Sequence, residues 1–182
     1  MAISTATFAG GCFWCIEAAF NALKGVKSAV SGYTGGKTDS PTYEDICTGT
    51  SGHAEVVQVK FDDALISYQE LLAIFFSLHD ATQLNRQGND TGTQYRSAIF
   101  YHDLQQKQLA EEFITLLEQN DIFSDSIKTT IEKLEKFYPA EDYHQGYFLK
   151  NPEQGYCSIV IQPKFNKFKE KYRAALKEGV DS

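Results

Sequence analysis

The sequence predicts a layered fold of the α/β or α+β class, in which helices pack against a sheet. Segments with helical periodicity alternate with short segments rich in β-branched and aromatic residues, and glycine or aspartate turns separate them. The chain has 182 residues, of which 42% are hydrophobic, so it is long enough for one substantial core and too short to argue for two. We therefore expect one domain over residues 1–182, with a strand order that the pattern does not reveal.

In the N-terminal half, the pattern predicts three strands and two helices. A short strand over residues 5–9 precedes apolar residues at positions 13, 16, 20 and 23, which have helical spacing. Strands over residues 26–33 and 55–61 follow, because β-branched and aromatic residues are bounded there by turns. Apolar positions 68, 71, 72, 75 and 78 then form the stripe of a second helix.

The C-terminal half continues the alternation less regularly. Residues 95–101 have the composition of a strand, and apolar positions 110, 113, 114 and 117 form a helical stripe. A short strand over 127–134, a helix over 141–149 closed by Asn151-Pro152, and a terminal helix over 165–176 complete the prediction. The last residues, within a C-terminal helix and tail over 161–182, are charged and expected to fray.

Composition excludes several classes of protein. The net charge of −7 argues against a general binder of nucleic acid or of an anionic membrane. Four scattered cysteines do not make the framework of a disulfide-dense secreted domain. The first residues lack a signal-peptide pattern, and no run of about 18 apolar residues occurs. We therefore expect a cytoplasmic protein without nucleic-acid or membrane partners, and a monomer, although no feature fixes the oligomeric state.

The most informative segment is residues 10–17, which read Gly-Gly-Cys-Phe-Trp-Cys-Ile-Glu. Cys12 lies where a predicted strand turns into a predicted helix, so free backbone amides and the positive end of the helix dipole favour its thiolate. The paired glycines would let the backbone approach a ligand closely. Phe13 and Trp14 either belong to the core or line an apolar pocket beside the thiol.

Glu55 is a candidate general acid. It shares the parity of Val57, Val59 and Phe61 on its predicted strand, so its side chain points to the apolar face. A carboxyl group desolvated there has a raised pKa and can hold a proton near neutrality. The alternative is a glutamate at a strand end that reaches solvent or pairs with Arg96.

Three polar residues are weaker candidates. Tyr43 and Tyr95 both lie in polar, turn-forming sequence, where loops often carry site residues. A phenol can donate a hydrogen bond to a polarised oxygen without carrying charge, but with 10 tyrosines in the chain ordinary packing is the alternative for each. Asp90 could orient such a donor or simply shape its turn.

The other cysteines carry different expectations. Cys157 follows a segment that contains proline and glycine, where mobility would suit a thiol that captures a sulfenic acid. The alternative is a buried cysteine at the start of a strand through residues 159–161. Cys15 and Cys47 are most simply small core residues.

Two rival chemistries remain open on the residues alone. Cys12 and Cys15 have the spacing of a thioredoxin-like dithiol oxidoreductase, although two bulky aromatic residues separate them. A thiol or metal-binding module without enzymatic activity is the other rival. The four histidines have no metal-ligand spacing, and Cys47 and Cys157 each stand alone, so we expect no metal site. A phosphate-binding loop at residues 32–38 fails on glycine spacing.

The segment over residues 10–17 resembles the signature of the A-type peptide methionine sulfoxide reductases. Four further blocks resemble that family's other blocks, in the same order: residues 41–43 with 47–56, 90–97, 140–145 and 151–157. The resemblance covers about residues 5–160, which would be the catalytic core.

The resemblance implies a role for each candidate. Cys12 would be the nucleophile that becomes a sulfenic acid, Glu55 would supply a proton to the sulfoxide oxygen, and Cys157 would resolve the sulfenic acid as a disulfide. Tyr43 and Tyr95 would donate hydrogen bonds to that oxygen, and Asp90 would support the polar network. Phe13 and Trp14 would form a wall for the substrate methyl group.

The resemblance also implies the fold and the partners. The fold would be a two-layer α+β sandwich with a ferredoxin-like core, a mixed sheet and a long coil-rich C-terminal region. The substrate would be the S epimer of methionine sulfoxide, free or in oxidised proteins. No cofactor would be bound, because thioredoxin or another dithiol is the external reductant. Since no cysteine follows Cys157, the Cys12–Cys157 disulfide would pass directly to thioredoxin.

Overall fold

The computed structural model describes residues 3–180, whose main feature is a six-stranded sheet with helices on one face. Residues 1, 2, 181 and 182, including the end of the expected frayed tail, lie outside the described part. Within residues 3–180 no helix is both long and apolar enough to cross a bilayer.

The first part of the chain builds a β-α-β-β-α-β unit. Its elements are β1 (Ile3–Gly10), α1 (Phe13–Asn21), β2 (Val26–Thr34), β3 (Ala54–Asp62), α3 (Tyr68–Leu78) and β6 (Ser97–Tyr101). The strands lie in the order β6-β1-β3-β2, and each pairs with its neighbour antiparallel. This arrangement is a ferredoxin-like core and confirms the expected α+β class.

Short elements lie in the connections of this unit. They are α2 (Tyr43–Cys47) between β2 and β3, and the two-residue strands β4 (Arg86–Gln87) and β5 (Asp90–Thr91) before β6. β4 and β5 pair antiparallel as a small hairpin, and a one-turn 3-10 helix, Thr93–Tyr95, follows it. Tyr95, expected at the start of a strand, therefore ends this turn.

Two further strands make the sheet mixed. α4 (Leu104–Gln119) connects β6 to β7 (Thr130–Lys133), which pairs parallel to β6, and β8 (Tyr138–Pro139) pairs antiparallel to β2 at the other edge. The predicted strand over 127–134 is confirmed in its central part. The final sheet order is β7-β6-β1-β3-β2-β8.

The main core lies between the sheet and the helices. Phe8 of β1 is fully buried there and stacks against Phe20 of α1 and Phe75 of α3. The opposite face of the sheet carries a second, smaller cluster that includes Val56 and Phe100. The sheet is therefore covered on both faces where β3 begins, and side chains of either parity are buried there.

The C-terminal region departs from the predicted elements. The helix expected over 141–149 is instead a 3-10 turn, Asp142–His144, and a short α5 (Tyr147–Lys150), because Gly146 between them has φ +68°. The strand considered through residues 159–161 is wrong. Those residues belong to a π-helix, Cys157–Ile161, that continues into α6 (Gln162–Lys171).

The segment that follows α5 is fastened to the core as far as Leu176. The predicted terminal helix begins three residues early as α6 and gives way to a 3-10 turn, Arg173–Ala175. Leu176 then forms an antiparallel bridge with Leu23, just beyond α1. Coil is concentrated between α4 and α6, in agreement with the expected coil-rich region.

Candidate active site

Cys12 is the N-cap residue of α1, directly after β1, as the sequence predicts. The two glycines before it serve a different purpose from the one expected. A Cβ on Gly10 would lie 3.0 Å from the His79 ring, and a Cβ on Gly11, which has φ +87°, would lie 2.7 Å from Gln87. The glycines therefore make room for the side chains of His79 and Gln87, and not for a ligand.

A cavity of about 210 Å³ opens beside Cys12. It unites seven residues proposed from the sequence with two that were not: Cys12, Phe13, Trp14, Tyr43, Glu55, Asp90 and Tyr95, together with Gln154 and Tyr156. Cys157 is not among its lining residues. A volume of this size suits a side chain, and it combines an apolar wall with polar groups.

Glu55 is buried in this cavity, with 2% of its surface exposed. Its Oε1 accepts a hydrogen bond from the backbone N–H of Phe13, 3.2 Å away. Burial raises the pKa of Glu55 to about 8, against that hydrogen bond, so the carboxyl group is largely protonated at neutral pH. The alternative of a glutamate that reaches solvent or pairs with Arg96 is wrong. Glu55 is not at the surface, and Nε of Arg96 lies 3.8 Å from Oε2 of Glu132 instead.

The thiol of Cys12 does not have the lowered pKa that its helix position predicts. Burial raises the pKa well above the ordinary value, and the charge of Glu55 raises it further. A hydrogen bond from the Trp14 backbone lowers the pKa, as expected at a helix start, but it is outweighed. When Glu55 is protonated, its charge no longer raises the pKa of Cys12.

Tyr43 and Tyr95 reach the cavity from separate short helices. Tyr43 lies in the first turn of α2, and not in an irregular loop, because Thr42 forms a capping box with Asp45. Burial, followed by the charge of Glu55, raises the pKa of both phenols. Both hydroxyl groups thus stay neutral and can donate hydrogen bonds into the cavity.

Asp90 has a definite partner across the cavity. The hydroxyl group of Tyr156 donates to its Oδ2 at 2.5 Å. Asp90 lies on β5 and Tyr156 directly precedes the π-helix, so the bond joins the hairpin to the C-terminal region. Asp90 therefore orients a phenol, as the sequence suggested. The phenol is that of Tyr156, and not that of Tyr43 or Tyr95.

The two aromatic residues after Cys12 differ in exposure. Phe13 is 1% exposed and packs against Tyr33, so it is a core residue that also forms cavity wall. Trp14 is only partly buried. Its indole stacks on Tyr147 with ring centroids 4.0 Å apart, and its Nε1 donates to Nδ1 of His144 at 3.0 Å. The indole is therefore held at its face and at its edge.

The other three cysteines lie in different environments, and all four cysteines are free thiols. Cys15 is buried in the core, which raises its pKa to about 11 and disfavours a dithiol pair with Cys12. Cys47 is exposed, so its assignment to the core is wrong; Ile46 of the same short helix points inward instead.

Cys157 is fully buried at the start of the π-helix. Its N–H donates to Oε1 of Gln154, a residue of the cavity wall, at 3.0 Å. The alternative prediction, that Cys157 is a buried cysteine, thus holds in this structure. The residue begins a helix, however, and not the strand that this alternative assumed.

Sequence reasoning missed four residues around the cavity: His144, Tyr147, Gln154 and Tyr156. His144 and Tyr147 fall within the helix predicted over 141–149, whose break at Gly146 gave no recognised signal. Within residues 3–180, no cluster of three or more His, Cys, Asp or Glu side chains could hold a metal ion.

The chain matches known proteins over nearly its whole length. The sequence profile of the peptide methionine sulfoxide reductase family matches residues 4–176. A peptide methionine sulfoxide reductase MsrA of Natronomonas pharaonis is 54% identical over 179 residues, which cover 98% of each chain. The MsrA of Pasteurella multocida is 55% identical over 167 residues, covering 92% of this chain and 95% of its relative.

Solved structures agree with this relationship. Reduced Mxr1 from Saccharomyces cerevisiae superposes with a TM-score of 0.78 at 35% identity, covering 85% of this chain and 89% of Mxr1. Mxr1 in complex with Trx2 superposes with a TM-score of 0.53 at 28% identity, covering 80% of this chain and 84% of Mxr1. On both sequence and structure, this chain belongs to the peptide methionine sulfoxide reductase family, the enzymes that reduce methionine sulfoxide.

Proposed function

We propose that Cys12 and Glu55 carry out the reduction, with Cys12 attacking the sulfoxide sulfur and Glu55 protonating the oxygen. The observation that carries this proposal is that a thiol and a protonated, buried carboxyl group line one small cavity. A nucleophile and an acid must act on adjacent atoms of the substrate, and both are present here.

The reaction balances without a bound cofactor. The attack first forms a bond between the Cys12 sulfur and the substrate sulfur. The oxygen then passes from the substrate sulfur to the Cys12 sulfur as the bond between the two sulfurs breaks, which gives methionine and a cysteine sulfenic acid. Glu55 donates its proton to the departing oxygen, and the thiol proton of Cys12 restores the acid. Cys12 is oxidised by two electrons, and the sulfoxide is reduced by two.

Tyr43 and Tyr95 would donate hydrogen bonds to the sulfoxide oxygen. Their raised pKa values keep them neutral, and the substrate oxygen carries negative charge that such donors stabilise. Asp90 would hold the Tyr156 side chain beside these donors, since the Tyr156 hydroxyl group donates to its Oδ2. Phe13 and Trp14 would form the wall against the substrate methyl group. A fixed methyl wall opposite fixed oxygen donors would distinguish the two epimers, and the resemblance to the A-type enzymes leads us to infer that the S epimer is the substrate.

Cys157 would resolve the sulfenic acid by attacking the Cys12 sulfur, which forms a disulfide and releases water. In the reduced protein this thiol is buried at the start of the π-helix. We therefore infer that the segment from Gln154 to Ile161 must move before Cys157 can reach Cys12. π-Helical turns are irregular and occur often at functional sites, which suits a segment that moves.

A thioredoxin or another dithiol would then reduce the Cys12–Cys157 disulfide. The related Mxr1 has been crystallised with Trx2, which supports a partner of this type. Four free thiols fit a reducing compartment, so we infer that the enzyme acts in the cytoplasm. We also infer that its substrate is methionine sulfoxide, both free and in proteins.

The test follows thiols and methionine after the reduced protein is mixed with the separated epimers of methionine sulfoxide. We expect one methionine per chain, from the S epimer, and a disulfide that peptide mapping locates between Cys12 and Cys157. Reduction of the R epimer alone would overturn the epimer assignment. A bridge between Cys12 and Cys15 would support the dithiol oxidoreductase instead.

A further inference from the structure

Glu17 is a buried carboxylate for which the proposed chemistry has no use. It lies on α1, one turn beyond Trp14, and only 2% of its surface is exposed. Glutamate is almost never buried to this extent without a partner, because desolvation of the charge is costly. Its partner therefore shows what the burial achieves.

That partner is the backbone of Gly146. Both carboxylate oxygens of Glu17 lie 2.9 Å from the Gly146 nitrogen and accept its N–H. Gly146 has φ +68° and is the N-cap residue of α5, so the contact fixes the point at which the predicted helix over 141–149 is broken. Lys150 folds back beside this turn, where its Nζ donates to the carbonyl oxygen of Gln145.

The residues around Gly146 are those that hold Trp14. His144 accepts the indole N–H at 3.0 Å, and Tyr147 stacks on the indole face at 4.0 Å. Glu17 and Trp14 are three residues apart on the same helix, and the Gly146 turn contacts both. A displacement of this turn would therefore move both supports of the indole together.

We propose that Glu17 is a positioning residue for the substrate pocket: it binds the Gly146 N–H and so holds His144 and Tyr147 against Trp14. The inference deepens the proposed function, because it rests on Trp14 being a wall for the substrate methyl group. Glu17 itself touches no reacting atom and acts through the turn.

The test uses the fluorescence of Trp14, which is the only tryptophan of the chain. Glu17→Met fills a similar volume without a hydrogen-bond acceptor, and Glu17→Gln retains one. For Glu17→Met we expect red-shifted emission that acrylamide quenches more readily, and a KM for methionine sulfoxide raised about tenfold with little change in the single-turnover rate at saturation. Glu17→Gln should restore most of both properties.

Asp62→Ala is the matched control. Asp62 is also a buried carboxylate, 6% exposed, whose Oδ1 accepts the backbone N–H of Ala64 at the end of β3. Its loss should lower the melting temperature and leave Trp14 emission and KM at wild-type values. A purely structural role for Glu17 would give this same pattern.

The outcomes separate the two proposals. If folded Glu17→Met keeps wild-type emission and KM while Trp14→Phe raises KM, only the role of Glu17 is wrong. If Trp14→Phe leaves KM unchanged, the proposed methyl wall is wrong. Should Glu17→Met fail to fold by circular dichroism, Glu17→Ala is measured in its place, and wild-type emission and KM there would equally overturn the inference.

Discussion

The backbone N–H of Phe13 donates to Oε1 of Glu55 across 3.2 Å, which joins the first turn of α1 to the start of β3. The bond places the carboxyl group beside Cys12, the residue before Phe13. It also lowers the pKa of Glu55, but burial outweighs it and leaves that pKa at about 8. This hydrogen bond thus brings the acid next to the residue that carries the thiol.

We expect Glu55→Gln to slow the first turnover of methionine sulfoxide reduction by about 10²- to 10⁴-fold, the usual contribution of a general acid. The amide retains an acceptor for Phe13 N–H but has no proton to donate. Rapid-quench measurement of methionine formation at several pH values is the check. A wild-type rate across that range would refute the acid assignment.

The contribution of Glu55 to the stability of the enzyme should fall as pH rises from about 4.5 to about 8. The ordinary pKa of glutamate is 4.5, and burial raises that of Glu55 to about 8, so the folded state binds a proton that the unfolded state has released. The stabilisation that Glu55 provides is fully present below pH 4.5 and is lost above about pH 8. Urea unfolding at a series of pH values checks this, because the free energy of unfolding of the wild type minus that of Glu55→Gln should fall across the range.

In Cys157→Ser the reaction should stop after one turnover with Cys12 as a sulfenic acid. The wild type should lose two thiols for each methionine formed, whereas the variant should lose one and become reactive towards dimedone. Mass spectrometry of the labelled peptide locates the adduct. If the variant still loses two thiols, another cysteine is the resolving group.

Iodoacetamide should alkylate Cys47 before Cys15 and Cys157 in the native protein. It is exposed, whereas Cys15 and Cys157 are buried and should react at least about tenfold more slowly, after local opening. Quenched time points analysed by peptide mass spectrometry give the order. Cys47→Ser is the control, since it should lack the fast phase and keep normal single-turnover activity.

Gly11→Ala should destabilise the protein by more than Gly88→Ala. Both glycines have positive φ, +87° and +59°, so each alanine carries a backbone cost of about 1 to 2 kcal/mol. At Gly88 an added Cβ meets nothing within 4 Å, but at Gly11 it would lie 2.7 Å from Gln87. Chemical denaturation of both variants measures the difference, and equal losses would mean that Gln87 does not support the Cys12 turn.

The elements that the sequence predicts well are those whose periodicity is local. The stripe of α3 and the alternation of β3 depend only on near neighbours, and the inward direction of Glu55 follows from the latter. The position of β1 between β3 and β6 depends on pairing between distant segments, which a single sequence does not reveal.

The incorrect predictions at the site also have distant causes. The helix position of Cys12 predicts a low pKa, but burial and a carboxyl group 43 residues away reverse it. The N–H of Gly146, where the predicted helix is broken, donates to Glu17, more than a hundred residues earlier. Cys47 was misplaced because a helix as short as α2 turns only Ile46 into the core.

The burial of Cys157 has a thermodynamic consequence for the cycle. In the proposed cycle its side chain leaves the core when the disulfide with Cys12 forms, and exposing a buried side chain to water costs free energy. That cost offsets part of the stabilisation that a cross-link between Cys12 and Cys157 would give the oxidised form, and reduction would restore the lost packing. The bridge is therefore easier for an external dithiol to reduce than a disulfide held in a rigid core.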